Sequence, residues 1–146
     1  MSSPLLTVRR AVPADADDIA RLNLAFNDLR TTVEYIAAYL ADDAPAETVY
    51  VAEVDGQVVG LASLRLLPQA LDPIPYAELS ELYVDDAYRR HGVGQALVRT
   101  IEAEARAAGA QQMVLLTAWR NTDAHAFYHA LGYRLYTITM RRPLGD

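Results

Sequence analysis

The sequence of 146 residues contains no cysteine and no lysine. The absence of cysteine excludes disulfides, thiolate catalysis and cysteine-ligated zinc, and it suits a reducing cytosol. The chain also lacks an apolar run of 18 residues, and its first ten residues lack the long apolar stretch of a signal peptide. We therefore expect a cytoplasmic protein with no membrane partner.

The chain is acidic, with a formal net charge of -6. Because it has no lysine, arginine supplies its cationic side chains at pH 7. An acidic chain is a poor candidate for nucleic-acid binding, which usually requires a basic face. The acidity either keeps the protein soluble or steers a cationic small substrate towards it. Hydrophobic residues make up 52%, enough for a sizeable core, and the length fits a single domain over residues 1–146.

Hydrophobic periodicity predicts strands alternating with helices. The Asp55-Gly56 pair between two β-branched runs predicts a hairpin with a type I′ turn. The order β-α-α-β-β-β-α-β-α-β indicates an α/β fold with a mixed sheet and helices packed on it. The predicted strands are 5–11, 48–67 (the hairpin), 79–84, 111–119 and 133–142, and the predicted helices are 15–29, 31–43, 93–108 and 122–131.

The run "RRHGVG" lies where a strand hands over to a helix. A helix N-terminus attracts anions, and glycine lets a phosphate approach the backbone without a Cβ in the way. The N–H groups from Arg90 to Gly94 would then hold a phosphate or pyrophosphate, with Arg89 and Arg90 adding charge-assisted contacts. The alternative is a tight structural turn. A dinucleotide fingerprint is excluded because Leu97 occupies its last glycine, and the P-loop lysine is missing.

Two motifs resemble those of the GNAT superfamily of N-acetyltransferases. "ELYVDDAYRRHGVGQAL" is similar to its central strand followed by [Q/R]-x-x-G-x-[G/A], matched by Arg89, Gly92 and Gly94. Further along, Asn121 precedes "AHAFYHALGY", similar to the family's later asparagine and its helix with a tyrosine and a terminal L-G-[FY]. The order of elements over about residues 7–140 also resembles the family's fold.

The resemblance implies a single domain whose mixed, mostly antiparallel sheet has a V-shaped splay between central strands and helices on both faces. It implies acetyl-CoA as co-substrate, no metal, a small amine acceptor and a homodimer. The pyrophosphate would lie on the backbone from Arg89 to Gly94, where the helix begins. The pantetheine and acetyl group would lie along the preceding strand. The cofactor-binding residues expected in this way are Leu82, Tyr83, Val84, Arg89, Arg90, His91, Gly92, Val93, Gly94, Asn121 and Tyr128.

Acetyl transfer requires a neutral amine, yet an alkyl amine is neutral in only about one molecule in 2,500 at pH 7. A base is therefore useful, and Glu78 and Glu81 are the candidates. Side chains three apart on a regular strand face opposite ways, so both can face the substrate only across a bulge. We favour Glu81. A solvent-facing glutamate and water-mediated deprotonation without a dedicated base are the alternatives.

Tyr128 matches the family tyrosine that hydrogen-bonds the CoA sulfur, so we expect it to stabilise the leaving thiolate; the alternative is a core aromatic. Asn121 matches a position that contacts CoA, and it also suits a helix N-cap. His125 and His129 have the spacing of two metal ligands, but no third ligand is evident, so we expect surface or packing roles.

Two other functions compete with acetyl transfer. The chain could be a non-catalytic, CoA-binding sensor or regulatory module, or an acyltransferase for a longer acyl-CoA. Retention of Tyr128 and of acidic residues on the strand argues against the sensor. The acceptor itself cannot be read from the residues, although the acidic stretches favour a cationic amine.

Overall fold

The structure, a computed structural model, describes residues 2–145, which divide into two compact units. The first unit extends to Leu116 and the second begins at Thr117. In the first unit the strands and helices are β1 (Leu6–Arg10), α1 (Ala16–Asn27), α2 (Val33–Leu40), β2 (Glu47–Val54), β3 (Gln57–Leu67), β4 (Tyr76–Val84), α3 (Val93–Ala107) and β5 (Val114–Leu115), with single 3-10 turns at Pro13–Asp15 and Asp86–Tyr88.

The five strands form one sheet in the order β1-β2-β3-β4-β5. The first three pairings are antiparallel, and β4 and β5 are parallel. The β2–β3 hairpin turns at Asp55 and Gly56, whose φ angles of 50° and 82° are both positive, as a type I′ turn requires. The predicted mixed, mostly antiparallel sheet and its hairpin are confirmed.

Helices cover both faces of the sheet. On one face, Val51, Leu61 and Tyr83 belong to a buried cluster with residues of α1 and α2. On the other face α3 packs against β3, where a Cβ on Gly60 would lie 3.0 Å from the Tyr83 carbonyl oxygen and 3.3 Å from a methyl carbon of Leu97. Glycine at position 60 therefore permits the close approach of α3 to the sheet.

The β4–β5 pairing is short. Only Glu78 pairs with Val114 and Leu79 with Leu115, whereas β4 continues to Val84. Beyond Leu79, β4 has no strand partner on its β5 side among residues 2–145, as the expected splay between central strands requires. The predicted strand 111–119 is wrong in its length, because a strand needs a neighbouring ladder and only two residues find one here.

The second unit contains α4 (Thr122–Ala130). The predicted strand 133–142 is wrong: the structure gives these residues no regular secondary structure. Their alternating pattern indicates a preference for an extended chain but supplies no partner strand, and within this unit no other strand is described. Among the residues described, no helix is long and apolar enough to cross a membrane.

Candidate active site

A bulge in β4 brings Glu78 and Glu81 to the same face of the sheet. Ser63 of β3 pairs with Glu81, and Leu64 pairs with Leu79, so Ser80 is the extra residue. Because Glu78 pairs with Arg65, two residues from Ser63, both glutamates project to the side of Ser63 and Arg65. The condition under which both can face one substrate is therefore met.

Buried hydroxyl groups support this bulge. The Oγ atoms of Ser63 and Ser80 lie 2.8 Å apart, and Ser63 is only 1% exposed. A hydrogen bond between two hydroxyls satisfies polar groups that would otherwise be buried without partners. The serine pair therefore stabilises the strand in the bulged register directly beside Glu81.

Glu78 is engaged by neighbouring side chains. An Nη1 of Arg65 lies 3.6 Å from its carboxylate, and the Tyr76 hydroxyl donates to it at 3.4 Å. Arg65 also donates to Glu47 at 2.9 Å. One guanidinium is thus shared by Glu47 and Glu78, and the Glu78 carboxylate also accepts a hydrogen bond from the Tyr76 phenol.

Glu81 has a different environment. Burial raises the pKa of its carboxyl above the ordinary value of 4.5; a hydrogen bond from Asn27 lowers it, the charge of Glu47 raises it and Arg65 lowers it. Within residues 2–145 no cation lies within 4.0 Å of this carboxylate. A partly buried carboxylate with a raised pKa and no ion pair is suited to accept a proton.

The turn between β4 and α3 has the backbone of an anion site. Arg90 and Gly92 have left-handed φ angles of 64° and 82°. No side chain caps α3, its first turn contains no acidic residue, and within residues 2–145 no backbone hydrogen bond of ordinary length and angle occupies the N–H groups of 90–94. A Cβ at Gly92 would meet no atom within 4 Å, so the space over this turn is open. Unpaired N–H groups at a helix N-terminus attract anions.

Arg89 is turned towards β4. Its Nε donates to the Val84 carbonyl at 2.9 Å, its Nη1 lies 2.9 Å from Asp86, and its guanidinium lies 5.4 Å from the centre of the Tyr83 ring. These contacts fasten the end of β4 to the turn. Arg90 and His91 are exposed.

The end of β4 presents a backbone edge. Leu82 pairs with Ala62 and Val84 with Gly60 on the β3 side, while the opposite edge has no strand partner among the residues described. Between them, Tyr83 is 9% exposed and stacks on Phe26 of α1, with ring centres 5.2 Å apart. An edge of this kind exposes N–H and C=O groups that can pair with an extended ligand.

The remaining expected site residues lie in the second unit. Asn121 caps α4, since its side chain accepts a hydrogen bond from the Ala124 N–H at 3.1 Å. Tyr128 packs edge-to-face against Phe127 and Tyr133, and burial raises its pKa to about 12. An Nε2 of His125 lies 3.1 Å from the Ala118 carbonyl oxygen.

The model of the acetyltransferase (GNAT) family matches residues 16–133, which is most of the chain and covers part of each unit. The chain belongs to the GNAT acetyltransferase family. It is an N-acyltransferase, and its α/β fold is that of the family.

Two curated GNAT relatives match along most of their length. Aminoglycoside N(6')-acetyltransferase type 1 of Stenotrophomonas maltophilia is 31% identical over 87% of this chain and 85% of its own. Aminoalkylphosphonate N-acetyltransferase of Salmonella typhimurium is 33% identical over 90% of this chain and 86% of its own. A solved aminoglycoside N-acetyltransferase, AAC(6')-Iy, in complex with CoA, has the same fold, with a TM-score of 0.83 at 18% identity over 99% and 98% of the two chains.

Several neighbours of Glu81 were not identified from the sequence. Asn27, Glu47 and Arg65 lie 54, 34 and 16 residues before it, and antiparallel pairing and helix packing bring them together. Arg65 offered one signal, since it interrupts the apolar run of β3. The Ser80 bulge offered none, because nothing in "ELSELY" distinguishes a bulged strand from a regular one.

Proposed function

We propose that this chain transfers an acetyl group from acetyl-CoA to the primary amine of a small acceptor, by direct transfer in a ternary complex. The observation that carries the proposal is Glu81, a partly buried carboxylate with a raised pKa on the β4 bulge of a GNAT chain. Residues 1–146 act in this proposal as one catalytic domain, because the family match runs across both units.

Acetyl-CoA would supply a thioester and a thiolate leaving group. The open turn fits its pyrophosphate: in the part of the chain that is described, no backbone hydrogen bond of ordinary length and angle occupies the N–H groups from Arg90 to Gly94, and the space above Gly92 is free. Arg90 and His91 are exposed beside it, and Arg89 fixes the turn to β4. The free edge from Leu82 to Val84 would pair with an extended pantetheine and donate an N–H to the acetyl carbonyl.

Glu81 is the base in this proposal. Keeping an alkyl amine neutral at pH 7 costs roughly 4.6 kcal/mol, which a nearby carboxylate reduces by taking the proton directly or through water. Glu78 faces the same side, but Arg65 and Tyr76 already engage it. In this proposal Glu78 pairs with Arg65 and adds negative charge near the bound amine.

Tyr128 would act as a neutral hydrogen-bond donor to the leaving thiolate. With its pKa near 12 against about 8.5 for a thiol, complete transfer of its proton would be uphill by roughly 5 kcal/mol. A donated hydrogen bond stabilises the thiolate without this cost. Asn121 would position the start of the same helix, α4, by capping it.

A small amine acceptor is supported by the two curated relatives, which are named for an aminoglycoside and an aminoalkylphosphonate. The surface beside Glu81 contains two further carboxylates, Glu47 and Glu78, and a single guanidinium, Arg65. Two negative charges in excess would favour a cationic acceptor.

The test has two stages. Acetyl-CoA at about 100 times its Kd should stabilise the protein by roughly 2.7 kcal/mol, a shift of several degrees in a thermal melt. Thiol release is then measured with an aminoglycoside, an aminoalkylphosphonate and a polyamine, and direct transfer predicts intersecting initial-velocity patterns. No melt shift at millimolar acetyl-CoA would refute the binding site. Binding without turnover on any amine would favour the sensor, and parallel velocity patterns would refute direct transfer.

A further inference from the structure

Alternate residues at the end of β4 point their backbone groups away from β3. In an antiparallel ladder, a residue pair that exchanges hydrogen bonds is followed by a pair whose N–H and C=O groups face outwards. The Asp85 N–H donates to the Val59 carbonyl at 2.8 Å, so Asp85 and, two residues earlier, Tyr83 face β3. The backbone groups of Leu82 and Val84 therefore point to the other side and form the free edge.

The side chain of Arg89 occupies the last hydrogen-bonding group of this free edge. Its Nε donates to the Val84 carbonyl at 2.9 Å. Within residues 2–145, no other hydrogen bond of ordinary length and angle reaches the outward backbone groups of Leu82 and Val84. The edge therefore offers an extended ligand the Leu82 N–H, the Leu82 carbonyl and the Val84 N–H, and it ends at Arg89.

Two further contacts fix the direction of the Arg89 side chain. Its Nη1 lies 2.9 Å from a carboxylate oxygen of Asp86, and its guanidinium carbon lies 5.4 Å from the centre of the Tyr83 ring. The ring is itself held in place, because Tyr83 is buried and stacks on Phe26 of α1. The Asp86 pair is exposed to water and contributes little alone. The cation over a buried ring restrains the guanidinium more firmly.

The backbone of Arg89 leads into the open turn of residues 90–94. Arg90 has a φ of 64°, a left-handed conformation that a residue other than glycine keeps only when its surroundings impose it. Arg89 imposes such a restraint, because its side chain is fixed to Val84 and its backbone continues into Arg90. One residue thus sets the distance and direction between the free edge and the open turn.

We propose that Arg89 is a positioning residue, which holds the free edge and the open turn at the spacing that one ligand requires. It does so through the Val84 carbonyl rather than by charge on the phosphate. This inference rests on the proposed acetyl-CoA site, in which the pantetheine pairs with the edge and the pyrophosphate lies on the turn. Two linked groups of a ligand reinforce each other's binding only when the spacing of their sites matches the linker.

Two variants separate the hydrogen bond of Arg89 from its charge. Arg89→Gln removes the cation, but glutamine Nε2 is as many bonds from Cα as arginine Nε and still donates. Arg89→Met has a similar length and no donor. Arg89→Gln should bind acetyl-CoA within about threefold of wild type, and Arg89→Met about tenfold more weakly than Arg89→Gln, the factor for one net hydrogen bond. Equal losses in the two variants would mean that Arg89 acts by its charge, and would overturn the inference.

Fragments of the ligand distinguish a lost spacing from damage to either part of the site. Calorimetry or NMR shift titration gives the Kd of acetyl-CoA, of S-acetylpantetheine, which reaches the edge, and of ADP, which brings a pyrophosphate to the turn. In Arg89→Met both fragments should bind within about twofold of wild type while acetyl-CoA weakens about tenfold. A fragment that weakens as much as acetyl-CoA would show that Arg89 only maintains the local fold, and the inference would be wrong.

The exposed ion pair provides a matched control. Asp86→Asn removes the charge that faces the Arg89 Nη1 and leaves the bond to Val84, so the Kd of acetyl-CoA should change by less than about twofold. A tenfold loss in this variant would assign the effect to the ion pair and contradict a role for the carbonyl.

A measurement on the free protein tests the contact itself. In nitrogen-15 NMR spectra, the Arg89 Nε–H should exchange with water about tenfold more slowly than that of Arg90, the exposed arginine beside it, because a hydrogen-bonded proton is protected. The Arg89 Nε–H should also show a scalar coupling to the Val84 carbonyl carbon. Equal exchange rates and no coupling would remove the contact on which the inference depends.

The outcomes for the two proposals are distinguishable. If the wild type binds neither acetyl-CoA nor ADP, the proposed acetyl-CoA site is wrong and the positioning inference falls with it. If the wild type binds and turns over acetyl-CoA while Arg89→Met and Arg89→Gln behave alike, only the positioning inference is wrong.

Discussion

Two carboxylates in the first unit are removed from water in opposite ways. Asp15, 5% exposed, receives two hydrogen bonds of 2.8 Å from Arg9 and a third of 2.8 Å from the Val12 N–H. These bonds, with that from Arg9 the largest effect, hold the pKa of the Asp15 carboxyl below its ordinary range. Glu81 has no ion pair among the residues described, and burial raises the pKa of its carboxyl.

The difference separates a structural acid, Asp15, from the proposed base, Glu81. The partners of Asp15 connect β1 to the turn before α1 and, through Arg9 and Glu53, to β2. A carboxylate that accepts three hydrogen bonds, two of them from a cation, stabilises the fold and is held in its charged form. An under-partnered carboxylate costs stability but retains affinity for a proton.

The largest effect should come from removing the base. Glu81→Gln keeps the shape of the side chain but cannot accept a proton, so kcat/KM at pH 7 should fall by about 10²-fold to 10⁴-fold. Glu78→Gln is the matched control, with a loss below about tenfold, because Arg65 and Tyr76 already engage this side chain. Thiol-release kinetics measure both. A larger loss in Glu78→Gln would reverse the two assignments.

Removing the charge of the structural acid should affect stability instead. Asp15→Asn removes one of the two carboxylate charges paired with Arg9 and should lower the free energy of unfolding by about 2 kcal/mol in urea titrations near neutral pH. Because the folded pKa of Asp15 is lowered, its contribution is present above 3.8 and is lost as the pH falls through the folded value. Asp43→Asn, at an exposed position, is the control. A loss as large in the control would remove the contrast.

Arg65 tests whether neighbouring charges separate the two glutamates. Arg65→Met removes the cation shared by Glu47 and Glu78, so the field at Glu81 becomes more negative and the pKa of its carboxyl should rise further. The acid limb of the pH–rate profile should move to higher pH, with a loss of about threefold to tenfold below it and little change on the alkaline plateau. An unmoved limb would mean that burial alone sets the properties of Glu81.

The smallest expected effect is a gain in the melting temperature of Glu81→Gln, the variant that should lose activity. The folded pKa of Glu81 is raised above 4.5, so ionisation of this group opposes folding as the pH rises from 4.5 through the folded value. At pH 7, Glu81→Gln should therefore melt higher than wild type by about 2–4 °C, and the gain should vanish below pH 4.5. A lower melting temperature at pH 7 would show that the charged form of Glu81 is stabilised in the fold.

Local chemistry was sufficient to predict much of the first unit. The Asp55-Gly56 turn, the glycine at the start of α3 and the apolar spacing of that helix depend on a few adjacent residues, and all appear as expected. The strand 133–142 depends on a partner that alternation of side chains does not specify, and that prediction failed.

The candidate site was predictable in its residues but not in their environments. Glu78 and Glu81 were identified from their place on β4, yet the choice between them depends on Arg65, Asn27 and a bulge. These features arise from strand register and from helix packing over long sequence separations. The pattern of residue types along the sequence does not specify these distances between side chains.

The single extra residue at Ser80 changes the parity of β4. In a regular strand, side chains an even number of residues apart lie on the same face. Across the extra residue at Ser80, side chains an odd number apart lie on the same face, as Glu78 and Glu81 do. A bulge moved three residues towards Tyr76 would leave Glu78 and Glu81 in sequence but place them on opposite sides of the sheet. An alignment of this chain with related sequences should therefore match the position of the bulge first and the carboxylates second. A shift of one residue relative to the bulge would place the same glutamate on the other face of β4.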